Sequence, residues 1–380
     1  MLNNTASKLE NSASKFRSTL PHTELPYRSR SWGHGFHSLS SYQGKLKPSL
    51  AHWLVRHFTD AGDNVLDPLG GVGTVAFEAS LLGRFAFTCD LSPFASTVAR
   101  AKLAPPSSAQ IMRELDAFAD DLMNVELDAE DYADAEFGLN ARVSEYYHED
   151  TLSEVLKARR ILAGHDLSPS RNFIKACLLH ILHGNRPYAL SRISHPITPF
   201  NPSGPFEYRS VMEKLRTRCH RLMGLDWPAD FIPGTSWFSD FRELPRLLSE
   251  PVNAIICSPP FPGMRFDRPN WLRMWFCGWV AKDFQKTSLG FLERQQGKSL
   301  AVYDEFFKVC SEVTAIGAPV IIHVGGSKAY DMVEKLSAIG SRFLRHRSTI
   351  AENVAHIEKH GIKDKGSTTE HILLVFERVA

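Results

Sequence analysis

The sequence predicts an α/β fold, a mostly parallel sheet with crossover helices, interrupted by a helical insertion. Three observations predict it. Short apolar runs suited to strands buried on both faces recur at 64–67, 85–90, 254–257, 319–324 and 372–376. Most are followed by a glycine or proline turn and then a helical pattern, the rhythm of a parallel sheet. That rhythm stops between Lys102 and about Trp237, where the patterning is mostly helical and no sheet strand is evident. Such a stretch is too long for a loop in a compact sheet and is read as an inserted subdomain.

Taken in chain order, residues 1–25 come first. They are rich in Ser, Asn, Thr and Lys as far as about Pro21, and lack the apolar stretch of a secretory signal. A flexible arm is expected there. Glu10 and the scarcity of arginine argue against an organelle transit peptide. Residues 26–104 and 234–380 form the sheet domain, with helices expected at 49–58 and at 75–82, the latter stopped by Gly83. Residues 105–233 form the insertion, which opens at Pro105-Pro106. Within it, the proline-rich run from His195 to Pro205 is expected to be a rigid, extended loop.

Charge and composition narrow the function classes. At 43% hydrophobic and 23% charged residues the chain has the make-up of a soluble globular protein, and no apolar run reaches the ~20 residues of a membrane span. A cytoplasmic location is expected. The six cysteines are scattered without a C-x-x-C pair, so neither a zinc knuckle nor a redox pair is signalled. Cys89 and Cys257 sit in apolar runs, as reduced buried thiols do. His356 and His360 lie four apart but lack a third partner, so no metal is expected. The net charge of +2 conceals an acidic stretch, 113–150, followed by a basic one, 157–221. The basic stretch is either a phosphate-binding surface or one of two helix faces that attract each other.

The first constellation of chemical interest is Val65-Leu66-Asp67-Pro68-Leu69-Gly70-Gly71-Val72-Gly73-Thr74: a strand, an acid, and a glycine-rich turn opening a helix. Glycines let a ligand approach the backbone, and the helix N-terminal amides favour an anionic group such as a carboxylate. Asp90 ends the next strand, where an acid can bind a ribose hydroxyl pair. An acid before the glycines would oppose a pyrophosphate but suit a cofactor carrying an ammonium group. The alternative is a tight strand-helix turn with no ligand.

Asp67-Pro68-Leu69-Gly70-Gly71-Val72-Gly73-Thr74 resembles the Asp-Pro-Phe-x-Gly-x-Gly-Thr signature of the amino-methyltransferases, which methylate exocyclic amines of DNA bases. Leu69 departs from the usual Phe. The segment from Tyr42 to Pro48, with the helix after it, resembles the part these enzymes place over the methionine end of the cofactor. Asp90-Leu91-Ser92-Pro93-Phe94-Ala95 resembles their Asp-x-x-Pro-x-Ala segment near ribose and adenine. The resemblance covers about 42–104 and 234–380. It implies a Rossmann-like methyltransferase fold with a seven-stranded sheet, and S-adenosyl-L-methionine as cofactor. The cofactor residues it implies are Asp67, Pro68, Gly70, Gly71, Gly73, Thr74, Asp90, Leu91 and Ser92. Asp240 is either a further contact, to the adenine amine, or a helix N-cap.

The second constellation is the apolar run 253–257 ending in Ser258-Pro259-Pro260-Phe261, which resembles the Ser-Pro-Pro-Tyr motif of cytosine N4-methyltransferases. The amine of a base is a poor nucleophile, because its lone pair is delocalised into the ring. Acceptors that grip its N–H bonds localise that pair. Two prolines remove backbone donors and leave carbonyls, Ser258 adds a hydroxyl, and Phe261 can stack on a flipped base. The resemblance implies a DNA cytosine-N4 methyltransferase acting on double-stranded DNA by base flipping, near the nucleoid, alone or beside a restriction endonuclease. Adenine-N6 or RNA methylation, and a catalytically silent nucleic-acid-binding module, stay open. The family's insertion can carry target recognition, which makes 105–233 the candidate, with His183-Gly184-Asn185-Arg186-Pro187-Tyr188 as possible readers of base edges. Trp271, Trp275 and Trp279 form a stripe read as core or as a wall beside the flipped base. Arg265, Arg268 and Arg273 are possible phosphate contacts, and 361–369 is expected to be a polar loop, solvated or touching DNA. The oligomeric state is not encoded in any pattern found.

Overall fold

The computed structural model describes residues 2–29, 31–195, 198–327, 332–354 and 368–380. Seven strands form one sheet: β1 (Asn64–Asp67), β2 (Phe85–Asp90), β3 (Thr235–Phe238), β4 (Ala254–Cys257), β5 (Pro319–Ser327), β6 (Arg345–Asn353) and β7 (Thr368–Glu377). Their order is β3-β2-β1-β4-β5-β7-β6. The first five are parallel, and β7 runs antiparallel to both β5 and β6, so the sheet is mixed. This is the expected Rossmann-like fold. The order reverses beside β1, and that switch point is where such sheets open a crevice at the carboxyl ends of their strands.

The helices are α1 (Leu2–Thr19), α2 (Pro48–Phe58), α3 (Thr74–Leu81), α4 (Pro93–Leu103), α5 (Ser108–Asn124), α6 (Ala129–Asp134), α7 (Glu149–Ile161), α8 (Pro169–Ile181) and α9 (Val211–Met223). After β3 come α10 (Leu244–Leu247), α11 (Trp271–Phe276), α12 (Ala281–Gln285), α13 (Leu292–Gln296), α14 (Val302–Val313) and α15 (Met332–Gly340). Two hydrophobic clusters cover the sheet. One gathers α1–α5, α7–α9 and α11; the other gathers α14, α15 and the segment 241–252. Central β4 is buried at every residue, as its unbroken apolar run requires.

Three expectations change. The segment expected to be a flexible arm is largely the helix α1. Leu9, Ala13 and Phe16 lie on one face and are buried, Lys8 pairs with Asp60 at 2.7 Å, and Arg17 donates to Ser348 Oγ and the Thr349 carbonyl on β6. A three-residue apolar stripe in a polar sequence holds it. Strands β3 and β6 were not evident as apolar runs because both are sheet edges with half-exposed, polar or charged residues. The insertion carries α5–α9, but α8 is buried against α4, with Asn172 Nδ2 donating to the Thr97 carbonyl at 3.0 Å, so the two share one core.

The charge segregation resolves as mutual attraction. Arg171 pairs with Glu114 and Asp121, Arg159 with Asp134, Arg160 with Asp128, and Arg216 with Asp116. The acidic and basic stretches are helix faces turned toward each other.

Candidate active site

Strands β1 and β2 run side by side and end in Asp67 and Asp90. The turn between β1 and α3 is fitted to its neighbours. Gly71 and Gly73 adopt φ of +52° and +70°, the left-handed region that favours glycine. Gly70 faces Thr88, whose hydroxyl would lie 1.7 Å from any Cβ there. That hydroxyl donates to the Asp67 carbonyl at 2.9 Å, and the Gly70 amide donates to the Cys89 carbonyl at 3.1 Å. Asp90 accepts the Gly71 amide at 2.9 Å and the Ser92 amide at 2.7 Å. The second acid therefore holds the glycine turn as well as facing the crevice. Burial raises both carboxyls: Asp67 is pushed up to about 7 and Asp90 to about 6, against backbone hydrogen bonds that oppose the shift.

A cleft opens over these ends, with about 880 Å³ of space that includes its solvent-open mouth. Of the residues expected from the sequence, Asp67, Pro68, Gly70, Gly71, Thr74, Asp90, Leu91, Ser92, Asp240, Ser258 and Pro260 line it. Gly73, Pro259 and Phe261 do not; Gly73 shapes the turn from beneath, with Ala99 3.0 Å from where its Cβ would be. Asp240 takes its expected cap role and also lines the cleft. Its carboxylate caps the turn at 241–243 through the Arg242 amide at 2.9 Å, pairs with the Arg242 guanidinium at 3.0 Å, and reaches the cleft.

Glu293, on α13, is a lining residue that no motif signalled. Burial pushes its carboxyl up to about 7, with Asp90 and Asp267 adding to the effect. Phe266 and Tyr42 also line the cleft, stacked with ring centroids 5.4 Å apart. Leu69, Leu91, Phe241 and Phe291 supply apolar walls. The donor set fits S-adenosylmethionine. Four carboxyls suit its sulfonium and ammonium, and the first turn of α3 holds a buried Thr74 hydroxyl without a hydrogen-bond partner where a carboxylate could be received. Among the described residues no three His, Cys, Asp or Glu side chains gather as a metal set.

The turn after β4 forms the far wall. Ser258 Oγ lies 3.0 Å from His323 Nδ1 on β5. The Pro260 carbonyl accepts from Gln296 Nε2 at 3.0 Å, and Gln296 is held in turn by the Tyr303 hydroxyl at 2.8 Å. One lone pair of the Pro260 carbonyl is thus already engaged, and the other is left for a substrate amine. Phe261 packs on Gly325, where a Cβ would lie 2.6 Å from its ring, and tilts against His323 at 5.7 Å.

Other candidates fall elsewhere. Trp271, Trp275 and Trp279 are buried core. Arg273 is fully buried and donates to the carbonyls of Leu179 and Ser41 and to the side chains of Ser41 and Asn270, which removes it from the phosphate contacts. Arg265 pairs with buried Asp267 at 2.6 Å. Arg186 is held against His180 and the Tyr188 ring, and His183 is buried. Pro196 and Ile197 of the proline-rich loop, residues 361–367 of the polar loop, and both His356 and His360 lie outside the described residues. All six cysteines are buried and free. Among the described residues no helix is long and apolar enough to cross a membrane.

No family model matches the chain. A curated relative, the type II methyltransferase M.MjaII of Methanocaldococcus jannaschii, is 31% identical over 67 residues, which is 18% of this chain and 13% of the relative's length. Among solved structures, TrmN of Thermus thermophilus is similar over 91% of this chain and 52% of its own, at 14% identity and a TM-score of 0.36. The rRNA methyltransferase aviRa of Streptomyces viridochromogenes is similar over 92% of this chain and 96% of its own, at 12% identity and a TM-score of 0.35. Similarities this partial assign the chain to no family.

Proposed function

We propose that this chain is an S-adenosylmethionine-dependent methyltransferase acting on the exocyclic amino group of a nucleic-acid base, cytosine N4 in double-stranded DNA. One observation carries the reading: Ser258 and Pro260 face the same cleft as Asp67, Asp90 and the glycine turn, so an amine held at the β4 turn borders the cofactor pocket. The partial similarity to a type II methyltransferase supports it. Bound in that pocket, S-adenosylmethionine would supply a methyl group already activated on a sulfonium.

The chain's own residues do the rest. Asp67 receives the ammonium, Asp90 the ribose hydroxyls, and Asp240 the adenine amine, between the walls of Leu69, Leu91 and Phe241. Gln296 takes one lone pair of the Pro260 carbonyl and leaves the other, so the acceptors for the two N–H bonds of the target amine are Ser258 Oγ and the Pro260 carbonyl, both of which line the cleft. Gripping those bonds localises the nitrogen lone pair and aims it at the methyl carbon. Phe261 stacks on the flipped base. Residues 105–233 carry recognition of the duplex, and a cognate restriction endonuclease is the natural partner of such an activity.

The test incubates the protein and cofactor with unmodified double-stranded DNA and, in parallel, with unmodified ribosomal RNA transcript, then digests each to nucleosides for mass spectrometry. N4-methyldeoxycytidine supports the reading. N6-methyldeoxyadenosine or a methylated ribonucleoside moves the substrate to adenine or RNA, and no methylated base on either polymer refutes it.

A further inference from the structure

We propose that His323 is a positioning residue that holds the Ser258 hydroxyl so that its oxygen faces the target amine as a hydrogen-bond acceptor; this rests on the methyl-transfer reading above. The register places the two side by side. Strands β4 and β5 are parallel with Cys257 opposite Ile322, so the next residues, Ser258 and His323, are neighbours across the ladder. Their side chains meet at 3.0 Å.

The question is which group donates. His323 is buried at 4% exposure, and burial with His371 and His22 nearby keeps its imidazole well below its ordinary range, hence neutral. A neutral ring carries one N–H. If it sat on Nδ1, the Ser258 hydroxyl would turn its own hydrogen toward the cleft and meet an amine with a donor, which repels it. If it sits on Nε2, Nδ1 accepts the Ser258 hydrogen and both remaining lone pairs of Oγ are free for the substrate.

The chemistry of the target amine, which brings N–H donors to Oγ, selects the second arrangement. His323 Nε2 is buried without a hydrogen-bond partner. Its ring stands edge-to-face with His371 on β7 at 4.8 Å and tilts against Phe261. The other groups on this side are Glu352 on β6, opposite His371 in the β6–β7 pairing, and His22, which contacts Glu352 at 2.8 Å. They form a polar layer beside His323, and none of them lines the cleft. Ser258 is thereby a fixed acceptor, with its hydrogen turned away from the substrate before the base arrives.

The experiment measures kcat, KM for DNA and cofactor affinity for wild type, His323→Leu, His323→Asn, Ser258→Ala and the Ser258→Ala/His323→Leu double variant. Thermal melts and calorimetric titration with S-adenosylmethionine report folding. Asn presents an acceptor near the position of Nδ1; Leu presents none. Expected are a kcat at least about 10-fold lower in His323→Leu, with KM and cofactor affinity within about twofold, and recovery to within about threefold in His323→Asn. The double variant loses nothing beyond Ser258→Ala. At saturating cofactor the kcat–pH curves of wild type and His323→Asn superimpose, since the imidazole takes up no proton.

Equal loss in Leu and Asn variants, a further loss in the double variant, or an acid limb confined to wild type overturns the proposal. So does an unchanged His323→Leu rate. Wild type that methylates no base on DNA or RNA overturns the underlying reading as well, which separates the two failures. If His323→Leu does not fold, the His323→Asn rate and pH curve decide alone.

Discussion

The raised carboxyl of Asp67 makes cofactor affinity depend on pH in a direction that can be worked out in advance. Burial holds Asp67 up at about 7 instead of the ordinary 3.8, so below neutrality it is an uncharged acid. Only the ionised form attracts the cofactor ammonium, and an α-amino group stays protonated below about 7.7. Between pH 5.5 and 7.5 the ionised fraction of such a carboxyl climbs from about 3% to about 76%, so affinity should tighten roughly 20-fold, with proton release on binding falling from about one at pH 5.5 to about a quarter at pH 7.5. Calorimetric titration with S-adenosylmethionine across that range, in buffers of different ionisation enthalpy, reads both quantities. Asp67→Asn should bind roughly 10- to 100-fold more weakly at pH 7.5, the worth of one charge-assisted hydrogen bond, and show a flatter pH slope. The residual slope belongs to Glu293, raised to about 7, and Asp90, raised to about 6. The sign also applies to the unliganded protein. A carboxyl raised by folding favours the folded state below its unfolded value of 3.8, and that contribution is lost as pH rises toward 7. Wild-type affinity constant within twofold from pH 5.5 to 7.5, with no proton released, would refute this reasoning.

Three further outcomes are expected. Gly70→Ala should destabilise the fold by about 2–4 kcal/mol in urea denaturation, because its methyl displaces the Thr88 hydroxyl from the Asp67 carbonyl; adding Thr88→Ala should make the pair cost less than the two single changes together. Phe261→Ala should lower kcat roughly 10-fold with cofactor affinity within about twofold, the worth of one stacked base, and an unchanged rate removes the stacking role. Arg273→Met should cost at least about 3 kcal/mol of stability, since it strands buried acceptors at Leu179, Ser41 and Asn270; a variant as stable as wild type that loses nucleic-acid binding would return Arg273 to the surface role.

What the sequence revealed follows how local the determining physics is. Strands β1, β2 and β4 were legible to the residue because each is a short apolar run closed by an acid or a proline turn. The cleft residues on those turns were legible for the same reason. Strand β6 was not, since its edge position lets it carry Arg345, His346 and Arg347. Helix α1 was hidden because, among its described side chains, Leu9, Ala13 and Phe16 are the apolar ones that face the core in a polar segment. Glu293 and His323 were illegible as site residues because their meaning is relational. Glu293 acquires its role from Tyr42, Asp90 and Phe266, which come from three distant segments. His323 gains its own from a strand register 65 residues away from Ser258. One signal was available: a histidine in the middle of a run that reads as buried on both faces demands a partner.

The composition of the cleft sharpens the choice of cofactor beyond what a glycine turn allows. Such turns serve dinucleotides and S-adenosylmethionine alike, because both put a group on helix N-terminal amides. Here, however, Asp67, Asp90 and Glu293 share one cleft with Asp240, which Arg242 already pairs, and with Lys45; burial, with the neighbouring Asp90 adding to it, holds Asp67 and Glu293 near neutrality. Ionising several such carboxyls together in a partly dry space is unfavourable without a counter-charge, and a pyrophosphate would worsen it. A ligand with two fixed positive centres reverses the balance. In the proposed site Asp67 at the end of β1 would hold its ammonium, and the remaining acids would face its sulfonium. The acids are then the specificity device that the glycines cannot be, and the proton release on binding is its measurable signature.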